Sequence, residues 1–232
     1  MWPTSANNYP TRNKDLYLLF VLVLIAHAGW IKFFIGEYIF LFDYVERILI
    51  LAIFLVVVRP TNWQYRPRIS HILVLLVATV IDTTLLIEIR DGFKELEFDR
   101  FNISAGFPLI ENKFHRYFDL SAGLILVAVS EELIYRKLAH EVMARRKFRP
   151  VSIYFFSSFT FALLHLNQGL DLFLGAFAGG VLLMFIYRWS RTIYLPIAAH
   201  YLTNLWILHD ASQYPTLFKT PTLSTVSEDC LV

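Results

Sequence analysis

Apolar residues gather in about seven long blocks along the chain, roughly 16 to 36, 38 to 58, 70 to 89, 120 to 142, 151 to 167, 170 to 188 and 192 to 209, and about 20 such residues suffice for a helix to cross the hydrocarbon core. The blocks lack the short alternation of barrel strands, and irregular or open-sheet backbone facing lipid leaves its amides unsatisfied. The pattern therefore predicts an all-α fold, a polytopic membrane helix bundle of about seven transmembrane helices. Between the third and fourth blocks, "RDGFKELEFDRFNISAGFPLIENKFHRYFD" (90–119) alternates charge with Phe, Leu and Ile. That mixture suits a short interfacial segment lying on the membrane.

The polar connections give the bundle an orientation. A cytoplasmic N-terminus puts Arg12 and Lys14, "RPTNWQYRPR" (59–68), "RRKFR" (145–149) and "RWSR" (188–191) on one side. The opposite side receives the 31–37 turn, the 90–119 stretch, the 167–170 link and the C-terminal tail, where acidic and basic residues balance. This arrangement satisfies the positive-inside rule and leaves the C-terminus non-cytoplasmic. The expected organisation is 1–117 for the N-terminal helices and interfacial connection, 118–209 for a four-helix core, and 210–232 for a flexible tail.

Composition agrees with the pattern. Of 232 residues, 56% are hydrophobic and 17% charged, against roughly 25% charged in soluble proteins. The net charge of +2 is too small to point to nucleic acid. The N-terminal "MWPTSANNYPTRNKD" runs into the first block without a small-residue cleavage site, so a retained first span is expected. The single cysteine, Cys230, excludes an intrachain disulfide and stands one residue short of a prenylation box.

Ionisable residues inside the blocks are the informative exceptions, because each costs on the order of 2.5 to 3.5 kcal/mol at a helix centre. The fourth block carries "SEELIYRKL" with Glu131, Glu132 and Arg136. Glu132 and Arg136 are i and i+4 and share a face, with the glutamate on the favourable N-terminal side. Glu131 points about 100° away, which makes it the freer carboxylate. Phe161 and His165 share a face in the fifth block, as do His200 and Asn204 in the seventh. Glu131 with His165 can activate water, and His200 with Asn204 can donate to a tetrahedral oxyanion. The bland reading covers the rest: His27 and His71 as packing residues, Asp43, Arg47 and Asp82 as pairing charges packed within the bundle rather than cavity lining, and "GAFAGG" (175–180) as a small-residue face for close helix approach.

The ordered set Glu131-Glu132-xxx-Arg136, Phe161-xxx-His165 and His200-xxx-Asn204 resembles the CPBP family of intramembrane proteases, which includes the type II CAAX prenyl endopeptidases and bacteriocin-processing relatives. The likeness covers about 118–209. It implies a glutamic-type endopeptidase in which Glu131 polarises water with His165, His200 and Asn204 form the oxyanion site, and Glu132 and Arg136 support them. No cofactor is implied. A zinc site of Glu131, His165 and His200 is the weaker alternative, and the nearest zincin-like string, "HEVMA" (140–144), has Ala144 where a second histidine is needed.

The expected partners are the lipid bilayer and a protein or peptide with a membrane-proximal C-terminal segment. The expected home is a bacterial inner membrane. In the orientation above, Glu131 lies about 17 Å from the non-cytoplasmic end of its helix, so an exported substrate fits better than a cytoplasmic prenylated tail. The alternatives are a non-catalytic immunity or assembly factor of the same fold and a proton-coupled small transporter.

Overall fold

The computed structural model describes residues 20–21, 39–57, 68–95 and 112–213. Every element among them is helical. We number the main helices α1 (Ile39–Val57), α2 (Ile69–Glu95), α3 (the rod over 113–145), α4 (Pro150–Ala162), α5 (Leu170–Ser190) and α6 (Tyr194–Gln213). The first predicted span apart from residues 20–21, the 96–111 part of the interfacial stretch, His27 and Cys230 lie outside the described residues.

Local chemistry explains where several of these helices begin and end. Asn112 caps α3, its Oδ1 accepting from the backbone N–H groups of Phe114 and His115 at 2.9 and 3.2 Å. Pro150 occupies the first turn of α4, where its missing N–H costs nothing. At the C-terminus of α5, Arg191 adopts a left-handed conformation (φ 57°) and its N–H returns to the Tyr187 carbonyl at 3.0 Å.

The rod α3 is not uniform. Its α-helical parts, Lys113–Phe118, Leu124–Glu132 and Ala139–Arg145, are separated by π-helical turns at Asp119–Gly123 and Leu133–Leu138. Such turns are rare and concentrate at functional sites. The second begins directly after Glu132 and contains Arg136. Inside it, the Tyr135 carbonyl accepts a hydrogen bond from the Ser157 hydroxyl of α4.

Burial is inverted relative to a water-soluble bundle. Glu132 and Arg136 are 0% exposed, whereas Ile69 is 78% and Val80 65% exposed on α2, and α1 turns Ile48 and Leu49 outward. Aliphatic surface outside and ionisable groups inside suit a lipid surround. Two described helices, Ile69–Gly92 and Leu170–Ser190, are long and apolar enough to cross a membrane, and Pro150–Leu166 is a shorter apolar helix. The 120–142 block differs from those two by charge rather than length, since Glu131, Glu132, Arg136 and Lys137 interrupt it.

Small residues let α5 sit deep in the bundle. A Cβ on Gly179 would overlap the Asp82 carboxylate of α2, and one on Gly180 would lie 3.1 Å from the Ser158 Cα of α4. The "GAFAGG" face thus brings α5 against two helices at once. On the other side, Tyr44 joins α1 to α3, its hydroxyl donating to Asp119 Oδ1 at 2.5 Å and its ring meeting Phe118 edge-on.

Candidate active site

Three helices bring a buried charged cluster together. From α3, Glu131 and Glu132 occupy the turn before the second π segment. Glu132 uses both oxygens: Oε2 lies 3.2 Å from Arg136 Nε, and Oε1 lies 2.9 Å from His200 Nδ1 of α6. The Glu132–Arg136 pair is the i,i+4 contact that the spacing predicts. Arg136 also spreads its guanidinium over the Phe161 ring of α4, 4.6 Å from the centroid, a favourable cation–π geometry.

His200 stands between the two glutamates. With Nδ1 at Glu132, its Nε2 faces Glu131 Oε2 at 3.7 Å. The hydrogen bond to Glu132 fixes which way the ring turns, as an orienting partner does for a working histidine.

Glu131 differs from the sequence-based expectation. It is buried at 5% exposure, and it is not the uncompensated carboxylate that its angular separation from Arg136 implies. Arg47 of α1 donates from Nη1 to Glu131 Oε1 at 2.9 Å and to Ser130 Oγ at 3.0 Å, while its Nε holds Asp43 Oδ2 at 2.8 Å. The compensating cation comes from another helix, which an i,i+4 rule cannot reveal. Arg47 and Asp43, read from sequence as pairing charges, do pair, and Arg47 extends that pairing to Glu131 of the cluster.

His165 lies in the 3₁₀ turn Leu163–Gln168 that continues α4. Its ring meets Phe161 at 5.1 Å between centroids, and Phe161 meets the His200 ring at 5.6 Å. Phe161 is therefore a wall shared by both imidazoles. His165 Nδ1 lies 3.3 Å from the Phe161 carbonyl. Asn204, half-buried, follows His200 by one turn on the same helix.

Asp82 of α2 is a further buried carboxylate, packed against Gly179 and Thr203. Its sequence signal was only that of a charge in an apolar block. His71 makes an edge contact with Trp189 at 5.6 Å, a packing arrangement. Among the described residues, no group of three or more His, Cys, Asp or Glu side chains is arranged to hold a metal ion.

The inside-out burial is consistent with a helical membrane protein, and the paired carboxylates beside an imidazole form a site equipped for acid–base chemistry. Residues 114–206 match the family model described as type II CAAX prenyl endopeptidase Rce1-like, in line with the CPBP resemblance. No curated protein and no solved structure matches the chain. The matched segment contains Glu131, Glu132, Arg136, His165, His200 and Asn204, whereas Arg47 and Asp82 lie before it.

Proposed function

We propose that the protein is an intramembrane endopeptidase that cleaves near the C-terminus of a membrane-associated protein or peptide by glutamate-activated water. The observation that carries this reading is His200 held between Glu131 and Glu132, within the segment that matches a protease family.

In this reading Glu131, assisted by His165, takes a proton from water as the oxygen adds to the scissile carbonyl carbon. The new oxyanion is met by His200 and the Asn204 amide. Glu132 accepts a hydrogen bond from Nδ1–H, so His200 donates to the oxyanion only when Nε2 also carries a proton. Collapse of the intermediate breaks the C–N bond, and the proton held at Glu131 passes to the leaving nitrogen. Glu132 and Arg136 hold His200 and the helix in register. No metal takes part in these steps.

The substrate reading follows from topology. Seven spans with a cytoplasmic N-terminus open the site toward the non-cytoplasmic half, which favours exported proteins with a C-terminal membrane-proximal segment over prenylated cytoplasmic tails.

Expression of wild type and Glu131→Gln in matched cells, with comparison of C-terminal peptides from membrane and secreted fractions, tests the activity. Peptides that vanish in the variant, and persist when chelator is added to wild type, are expected. Unchanged peptides from a properly inserted variant refute it. Tagging each terminus and probing protease accessibility tests the orientation.

A further inference from the structure

Arg47 is 7% exposed, lies on α1 outside the family-matched segment, and reaches the cluster from a helix that the motifs do not include. Its guanidinium is fixed on two sides. Asp43, one turn earlier on the same helix, accepts from Nε at 2.8 Å, while Ser130 and Glu131 share Nη1 at 3.0 and 2.9 Å. Ser130 gives its own proton to the Val127 carbonyl at 3.0 Å, so its oxygen is left as an acceptor facing Arg47. A planar guanidinium held at both Nε and Nη1 has little freedom to rotate.

This arrangement distinguishes the two oxygens of Glu131. Oε1 is engaged by Arg47, and Oε2 is the one turned to His200 Nε2 at 3.7 Å. A carboxylate with one fixed oxygen presents the other in one direction, which a general base needs if it is to meet a bound water at a set angle.

We propose that Arg47, braced by Asp43 and Ser130, is the positioning residue that aims Glu131 Oε2 at the reacting water. The inference rests on the reading of Glu131 as the base. It extends the working site to α1 and makes the N-terminal half of the chain part of the machinery rather than a membrane anchor alone.

Arg47→Lys keeps the charge but loses the fork, and Asp43→Asn leaves Arg47 and Glu131 in place while weakening the brace. Both are compared with wild type and Glu131→Gln as full chains in detergent micelles, normalised to folded protein. The turnover probe is an internally quenched peptide built on the C-terminal membrane-proximal segment of an exported protein whose processing is lost in Glu131→Gln cells. In parallel, the infrared carboxylate band identified by its loss in Glu131→Gln is followed, a measurement that needs no substrate.

Arg47→Lys is expected to lower kcat by about 100-fold with KM little changed, Asp43→Asn to lower it in the same sense by less, and both to shift the band. In a Glu131→Gln background, Arg47→Lys should cost nothing further. A Glu131 band unmoved in both variants overturns the proposal, as does a moved band with wild-type kcat. Where Arg47→Lys fails to accumulate, Asp43→Asn decides by the same two measurements. Wild-type turnover by Glu131→Gln sinks the underlying reading instead, and is distinct from the case in which Glu131→Gln is dead while Arg47→Lys is fully active.

Discussion

His200 Nδ1 lies 2.9 Å from Glu132 Oε1, while the other oxygen of Glu132 lies 3.2 Å from Arg136 Nε. One carboxylate thus ties α6 to α3 and neutralises a fully buried guanidinium. An amide cannot do both, because its NH₂ group donates where His200 or Arg136 also donates.

Glu132→Gln is therefore expected to lower stability by about 3–5 kcal/mol, the cost of leaving one member of a buried pair uncompensated. Thermal unfolding in detergent measures this. Activity should fall further than the folded fraction, since His200 loses the partner that orients it.

Asn204→Ala should behave in the opposite way. As an oxyanion donor its loss should reduce kcat by about 10²–10³-fold, with a melting temperature close to wild type because the side chain is only half-buried. A large stability loss, with activity tracking the folded fraction, would instead favour a non-catalytic member of the same fold.

The contrast between these two residues shows what could be read from sequence. Glu132–Arg136 and Phe161–His165 are contacts within one helix or its immediate continuation, and a period of about 3.6 residues predicts them. Arg47 reaches Glu131 across helices, and no spacing rule connects positions 47 and 131. For that reason Glu131 looked free when it is paired. The π turn at Leu133–Leu138 was hidden as well, because no residue type in "LIYRKL" marks where the helix widens. The burial of charge, by contrast, was legible: so many ionisable groups in apolar blocks must face inward.

That π turn has its own dependence. The Ser157 hydroxyl of α4 donates to the Tyr135 carbonyl inside the widened turn. Both residues are fully buried, so water cannot take its place. Ser157→Ala is expected to cost about 1–3 kcal/mol, read as a lower melting temperature. Ser157→Thr, which restores a hydroxyl, should recover part of it where its added methyl is accommodated.

Helix approach at α5 gives a paired prediction with an internal control. A Cβ on Gly180 would stand 3.0 Å from Ser158 Cβ, 3.1 Å from Ser158 Cα and 3.3 Å from Phe161 Cδ1. The Cα belongs to the backbone of α4 and cannot swing aside, so Gly180→Ala must push α4 away from α5. Phe161 is the ring shared by His165 and His200, and both imidazoles move with it. Overpacking of this kind costs about 1–3 kcal/mol, and the few tenths of an ångström by which the neighbours must give disturb the ring against which both histidines rest and lower turnover. Gly92, near the end of α2, has nothing within 4 Å of the corresponding position, and alanine is favoured over glycine there by about 1 kcal/mol of helix propensity. Gly92→Ala should therefore be neutral or stabilising and fully active, whereas Gly180→Ala should be less stable and slow. Equal melting temperatures and equal turnover for the two variants would show that the α4–α5 contact does not set the position of the histidines.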